Sequence, residues 1–341
     1  MSAVRDASSV SPPAWFKGDA SPRMDAVAYG LFRGAVREGP PTPSIALAAT
    51  RRKRWIYTGV YDPRFVLGVA VVDIGIAGNA FAYVGSLAPA SPRAWQAVAP
   101  SWSAVVGRRQ ARWRSGYDVI TATLPEGIAP GRLHGTIGDG ADAARFDLAL
   151  TRTTDAVTEM TCVAPAGDDA HGRWNLTTKD NTLTATGFVQ WGSERFEVRA
   201  PAIIDVTDAY PPRHTVWRWA SFAGTDAEGR RVGLNLCELH NDSERARENL
   251  LWVDGAPYAL GPVRFEFDAS APGSSRWTIT GDGVELRFDP AGARFGHEDM
   301  VLIKSRFAQP YGRFSGTLRV GDVTSRIEGV AGVVEDHDAL W

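Results

Sequence analysis

Between Asp205 and Ala220 the chain reads Asp-Val-Thr-Asp-Ala-Tyr-Pro-Pro-Arg-His-Thr-Val-Trp-Arg-Trp-Ala. Two carboxylates (Asp205, Asp208), a phenol (Tyr210), a guanidinium (Arg213), an imidazole (His214) and two indoles (Trp217, Trp219) fall within this short strip. Carboxylates and imidazole can move protons near neutral pH, while indoles supply apolar area and a π face for a developing cation. Pro211-Pro212 argues against a helix here, because proline lacks an N–H and disfavours helical geometry before it. The strip therefore reads as the lining of a cavity between two halves. Asp205 or Asp208 would be the general acid or base, His214 or Tyr210 the second proton-transfer partner, and Arg213, Trp217 and Trp219 substrate contacts. A second reading is structural: the aspartates cap turns, Arg213 pairs with one of them, and the tryptophans are core of an interdomain joint.

Three further groups carry polar chemistry. Glu248-Asn249-Leu250-Leu251-Trp252 follows Asn235 and His240 and reads either as part of a buried hydrogen-bonding network or as an exposed helix end. Glu335 and His337 lie in a terminal segment, which argues for exposure, whereas the final Trp341 argues that this tail is held by burial. Arg51-Arg52-Lys53-Arg54 runs into Trp55-Ile56-Tyr57 and reads as the start of a strand rather than an anion-binding patch. Walker-type, Gly-x-Gly-x-x-Gly and Gly-x-Ser-x-Gly patterns are missing, so nucleotide cofactors and a serine-hydrolase elbow have no sequence support. No two of the six histidines show i, i+2 or i, i+4 spacing; neither a metal nor another cofactor is expected.

The elements that must position these groups are strands. Phe146, Leu148 and Leu150 alternate with polar or small residues, as do Val263, Phe265 and Phe267, and again Val284, Leu286 and Phe288. Period-two alternation marks strands with one buried face. Gly138-Asp139-Gly140, Asp180-Asn181, Gly281-Asp282-Gly283 and Gly321-Asp322 are expected turns. Helical candidates are confined to Arg93–Val98 and Ser243–Leu250. The expected fold is all-β, two tandem antiparallel barrels or sandwiches with few short helices. The domains divide as a tail (1–27), a first β domain (28–204) and a second (205–341).

A chain of 341 residues suits two domains, and a formal charge of −2 gives no reason to expect nucleic acid or an anionic membrane as partner. Lysine occurs only at Lys17, Lys53, Lys179 and Lys304, leaving few candidates for a Schiff base. Cys162 and Cys237 sit in apolar surroundings and read as buried free thiols. No signal-like segment or membrane-length apolar run is visible, so a cytoplasmic protein is expected. The sequence leaves the oligomeric state open.

Several spaced segments together resemble a known family. They are Lys53-Arg54-Trp55, Asp205 to Trp219, Gly233 to Leu236, Glu248 to Gly255, Phe307 to Gly316 and Gly332 to His337. The resemblance is to the family catalogued as domain of unknown function 2804, from about Ala28 onward. More distantly, that family is similar to two-domain lipocalin-like proteins: carotenoid 1,2-hydratases, AttH-like proteins and fungal intramolecular cyclases. Gly172-Arg173-Trp174 matches the short Gly-x-Trp signature of lipocalin strands, and equally any packed strand tryptophan. The resemblance implies tandem β-barrels holding an apolar or aromatic small molecule, with Asp205 near the domain junction as acid. Asn235, Glu248, Asn249 and Tyr311 fall in the matching segments and join the candidate ligand contacts. Where the relatives' junction reads Asp-His-x-x-Gly, this chain reads Asp-Val-Thr-Asp. The function expected is a cofactor-independent, non-redox hydratase, isomerase, cyclase or lyase. The alternative is a lipocalin-like carrier, whose pocket would lack ionisable groups.

Overall fold

A strand whose residues alternate in polarity has two unlike faces, so a curled sheet can bury one face around its own core and offer the other to a neighbour. Both halves of this chain are built that way. The computed structural model describes residues 13–44, 51–88, 92–140, 143–167, 173–300 and 303–341.

The first sheet contains β1 (Phe16–Asp19), β2 (Gly30–Arg33), β3 (Lys53–Tyr61), β4 (Phe65–Asp73), β5 (Ala77–Ser86), β6 (Arg93–Pro100), β7 (Ala104–Val106) and β8 (Gln110–Ser115). It continues with β9 (Asp118–Thr123), β10 (Gly131–Ile137), β11 (Ala144–Thr151), β12 (Met160–Pro165), β13 (Trp174–Trp191) and β14 (Glu194–Ala209). A single 3-10 turn, Ser101–Ser103, links β6 to β7. The second sheet contains β15 (His214–Thr225), β16 (Arg231–Glu238), β17 (Leu250–Val253), β18 (Ala256–Ala259) and β19 (Val263–Glu266). Its remaining strands are β20 (Trp277–Gly281), β21 (Val284–Met300), β22 (Ile303–Val320) and β23 (Val323–Leu340). The chain passes from one sheet to the other between Ala209 and His214, so Asp205 and Asp208 lie in the first sheet and Trp217 and Trp219 in the second.

The main path of the first sheet is β6-β5-β4-β3-β14-β13-β11-β10-β9-β8-β7, and that of the second is β18-β17-β16-β15-β23-β22-β21-β20-β19. β13 pairs with β14 along one edge and is shared along the other, by β12 through Trp174–Lys179 and by β11 through Thr184–Trp191. The fold is thus two tandem lipocalin-like antiparallel β domains.

Three of the expected turns lie between paired strands, and Gly283 takes the positive φ of 69° that its hairpin needs. Asp180-Asn181 does not turn the chain. It lies inside β13, where the pairing with β14 slips. Both expected helices are also absent. Arg93–Val98 is part of edge strand β6, and of Ser243–Leu250 all but Leu250, which opens β17, is a loop closed by a bridge between Asp242 and Arg247. Of the expected tail, residues 1–12 lie outside the described residues, and Phe16–Asp19 pair with β2. Gly172 lies outside them too; Trp174 is buried and donates its indole N–H to Pro41 O at 3.1 Å.

Each sheet encloses its own apolar core. Ile56, Val60, Ala202, Ile204 and Val206 point into the first, and Ala220, Phe222, Val330 and Val334 into the second. The residues one position out of step, including Tyr57, Ile203, Trp219, Ala331 and Val333, meet in a separate cluster between the sheets. Tyr311 crosses that boundary and lies against Gly85, where a Cβ would come within 2.5 Å of its ring. Period two thus sorts the strand residues into two cores and a joint.

Candidate active site between the two sheets

Beside the joint cluster the facing sheets leave a cavity of about 200 Å3. Its aromatic walls include Trp55, Tyr57, Phe81, Trp217, Trp219 and Phe307. Two groups of ionisable side chains line it.

The first group stands on β13, β14 and the loop before β17. Lys179 is buried, and its Nζ lies 2.6 Å from Asp205 Oδ2 and 3.5 Å from Glu248 Oε2. The Asp205 Oδ1 atom accepts hydrogen bonds from Thr177 Oγ1 at 3.3 Å and Thr207 Oγ1 at 3.4 Å. The Lys179 ammonium also lies 5.9 Å from the centroid of the Trp219 ring. Burial would deprotonate this lysine, but Asp205 and Glu248 outweigh burial and hold its pKa above the ordinary value. Glu248 moves in the opposite sense to a well-paired carboxylate. Burial pushes its carboxyl up, and the ammonium, shared with the nearer Asp205, only partly opposes this. Asn241 Nδ2 reaches Glu248 Oε2 at 3.5 Å. Nearby His240 is pushed down to about 4 by burial and by Lys179, so its imidazole is neutral at pH 7.

The second group stands on β22 and β23. Glu335 and His337 share one face of β23, and His337 Nδ1 lies 2.9 Å from Glu335 Oε1. Glu335 also accepts from Trp217 Nε1 at 3.0 Å and Gln309 Nε2 at 2.5 Å. Burial alone would raise this carboxyl, but its bonds from His337, Gln309 and Trp217 prevail and hold it below the usual carboxylate range. The imidazole of His337 packs on Trp217, with ring centroids 3.9 Å apart. Arg294 lines the same cavity between the rings of Phe81 and Phe307, at 3.9 Å and 4.5 Å from their centroids. Among the described residues, no group of three or more His, Cys, Asp or Glu side chains is arranged to hold a metal ion.

Of the expected catalytic and ligand-contact residues, Asp205, Trp217, Trp219 and Glu248 line the cavity. Asn235 and Asn249 are buried behind it: Asn235 accepts the Trp219 indole N–H at 2.8 Å, and Asn249 Oδ1 accepts from the Cys237 backbone N–H at 2.7 Å. Tyr311 belongs to the joint cluster. The other four stand elsewhere. Asp208 is gripped by Arg52 (2.8 and 2.7 Å) and Arg108 (2.8 Å). Tyr210 packs edge-on against Trp174 at 4.9 Å and donates to Thr42 Oγ1 at 3.4 Å. His214 is exposed and faces Asp338 Oδ1 at 2.8 Å, and Arg213 is exposed and bonds the Trp341 carbonyl. The reason is geometric: Asp208 lies on the face of β14 opposite Asp205, and Tyr210, Arg213 and His214 stand where the chain passes between sheets, outside the cavity lining. Glu248 and Asn249 are buried in a loop rather than exposed on a helix end, and both cysteines are buried and free. The basic run at 51–54 is spent internally, Arg52 on Asp208, Lys53 on Ile74 O and Arg54 on Asp73.

Lys179, Arg294, Ser305 and Gln309 are cavity residues outside the expected site, and Glu335 and His337, for which the sequence leaves exposure and burial open, line the cavity with them. A signal for them exists. The walls are built from i, i+2 pairs on strands: Thr177 with Lys179, Asp205 with Thr207, Trp217 with Trp219, and Glu335 with His337. Such spacing places both side chains on one face.

Two solved structures share the fold at low identity, and a third is similar to the chain. A protein of Nitrosomonas europaea assigned as AttH matches with a TM-score of 0.51 at 13% identity, covering 84% of this chain and 92% of its own. CghA matches with a TM-score of 0.51 at 11% identity, covering 96% and 97%. Kievitone hydratase from Nectria haematococca gives a TM-score of 0.49 at 10% identity, covering 94% and 98%. A comparison with curated proteins finds no match. The family described as "Domain of unknown function (DUF2804)" matches residues 26–341, and the chain belongs to that family.

Proposed function

We propose that this protein is a cofactor-independent, non-redox enzyme that adds, removes or relocates a proton on an apolar or aromatic small molecule in the cavity between its sheets. The observation that carries this reading is Glu248, a carboxyl raised by burial on the wall of an aromatic cavity. Two groups of opposite habit on the cavity wall support it. Glu248 keeps its proton to higher pH and acts as general acid, while His337, fixed by an anionic Glu335, acts as base. Protonation of a double bond or a leaving oxygen by Glu248 would develop positive charge in front of Trp217 and Trp219, whose ring faces favour a cation. His337 would then take a proton from water, giving hydration, or from a neighbouring carbon, giving isomerisation or elimination. Lys179, held protonated beside Asp205, fixes the position of Glu248. A lining with so many ionisable groups is poorly suited to a passive carrier of an apolar ligand.

The test is incubation of the purified protein with small-molecule extract from its host, followed by mass spectrometry. A compound that gains or loses the mass of one water, or keeps its mass with a new retention time, is expected. Glu248→Gln should slow that conversion by about a hundredfold to ten-thousandfold. A bound compound returned unchanged by wild type would overturn the proton-transfer reading and favour a carrier over it.

A further inference from the structure

Proton transfer leaves one neighbour of His337 unused. Ser305 Oγ lies 2.8 Å from His337 Nε2, on the side of the ring opposite the 2.9 Å contact between Nδ1 and Glu335 Oε1. Hydroxyl, imidazole and carboxylate stand in a row, and all three line the cavity. The strand register creates the row. Phe307 faces His337 and Ser305 faces Ala339 across β22 and β23, so Ser305 and His337 are diagonal neighbours on one face.

The row is held from both sides. Trp217 and Gln309 each donate to Glu335, and the His337 ring packs between Trp217 at 3.9 Å and Phe307 at 5.2 Å. An anionic Glu335 accepts from Nδ1–H, which leaves the Nε2 lone pair directed at the Ser305 hydroxyl. This is the tautomer needed to remove the hydroxyl proton. No nucleophile elbow is involved, since Ser305 lies within β22. A nucleophile, a base within hydrogen-bond reach and a third group orienting the base are nonetheless the parts an activated serine requires.

We propose that Ser305 is a nucleophile and that the cavity hydrolyses carboxylic esters with apolar or aromatic acyl groups through an acyl-serine. Ser305 Oγ bonds to the ester carbonyl carbon as its proton passes to His337 Nε2. The bond from that carbon to the alcohol oxygen then breaks, and the alcohol leaves with the proton. Water next attacks the acyl carbon, its proton passes to His337, and the acid departs as Ser305 recovers its hydrogen. One ester and one water become one acid and one alcohol. Arg294, over the Phe307 ring, places a positive charge at this end of the cavity for the oxyanion. The inference rests on the proton-transfer reading only in taking the same cavity as the binding place.

The test is reaction of the full chain with an alkyl fluorophosphonate, followed by intact-mass measurement and peptide mapping. One adduct on Ser305 is expected. It should vanish in Ser305→Ala, form at least about a hundredfold more slowly in His337→Asn, and form at the wild-type rate in His214→Asn, whose side chain is exposed outside the cavity. Glu335 is a positioning residue. With p-nitrophenyl butyrate, Glu335→Gln should lower kcat by ~10^2 to 10^4 and leave KM unchanged, a split that general unfolding would not give. Absence of an adduct, an adduct on another residue, or one that persists in Ser305→Ala overturns the inference. The two readings fail separately. A Ser305 adduct in a protein that returns extract compounds unchanged keeps this inference and removes the proton-transfer reading; conversion of an extract compound without an adduct does the reverse.

Discussion

Asp205 and Asp208 are the same residue on the same strand, both buried, yet they belong to different kinds of structure. An odd separation along a strand sends them to opposite faces. Asp208 meets two arginines whose forked donors occupy both of its oxygens, the geometry in which a carboxylate serves as a fastening. Asp205 meets a lysine, a compact charge on a flexible stem, which a second carboxyl shares from 3.5 Å. That second carboxyl is left with a raised affinity for its proton. Residue type therefore does not distinguish a fastening from a working group here. The partner does: a guanidinium fork saturates a carboxylate, whereas an ammonium divided between two leaves one of them able to exchange a proton.

The largest expected effect comes from breaking the Lys179 cluster. Asp205→Asn leaves the buried ammonium with Glu248 alone and should cost about 3–5 kcal/mol in urea unfolding. From the sequence alone, the same variant would be expected to fold normally and lose only turnover. Asp205→Asn combined with Lys179→Met removes both charges and should regain most of the stability but none of the turnover. If the single variant unfolds like wild type, Asp205 is not the counter-ion described here. Next in size is a pH effect that the cavity side alone should show through His240. The unfolded imidazole binds a proton near 6.5, and the folded one only near 4. Stability present above pH 6.5 should thus decline between pH 6.5 and 4, by roughly 3 kcal/mol, and His240→Asn should flatten that slope. Asp208→Asn is smaller, about 1–2 kcal/mol, because water reaches Arg52 in part. It should leave ligand affinity unchanged, and a change in affinity would merge the two regions. The smallest effect belongs to His214→Ala and Arg213→Ala, exposed residues whose replacement should shift stability by less than about 0.5 kcal/mol.

The fold was legible because it rests on local signals. Alternation in Val284 to Phe288 and the glycine turn before it specify a hairpin without help from the rest of the chain. Where tertiary packing overrides local preference, the reading failed. Arg93–Val98 contains good helix formers but alternates in burial as an edge strand. The loop at 243–249 is fixed by the Arg247–Asp242 pair and by Asn249 bonding to Cys237 and Gly261, contacts invisible as periodicity. The site was half legible for a related reason. Asp205, Trp217 and Trp219 announced themselves as a cluster in sequence. Lys179, Ser305 and His337 come from strands far apart in the chain, and only sheet register brings them together.

The indoles of Trp55, Trp217, Trp219 and Trp341 all border the cavity. Two come from the second sheet's first strand, one from the first sheet and one from the chain's last residue. Occupancy of the cavity therefore changes the surroundings of four intrinsic fluorophores at once. The protein carries its own optical reporter, and candidate substrates can be ranked by quenching of its native emission before any product has been identified.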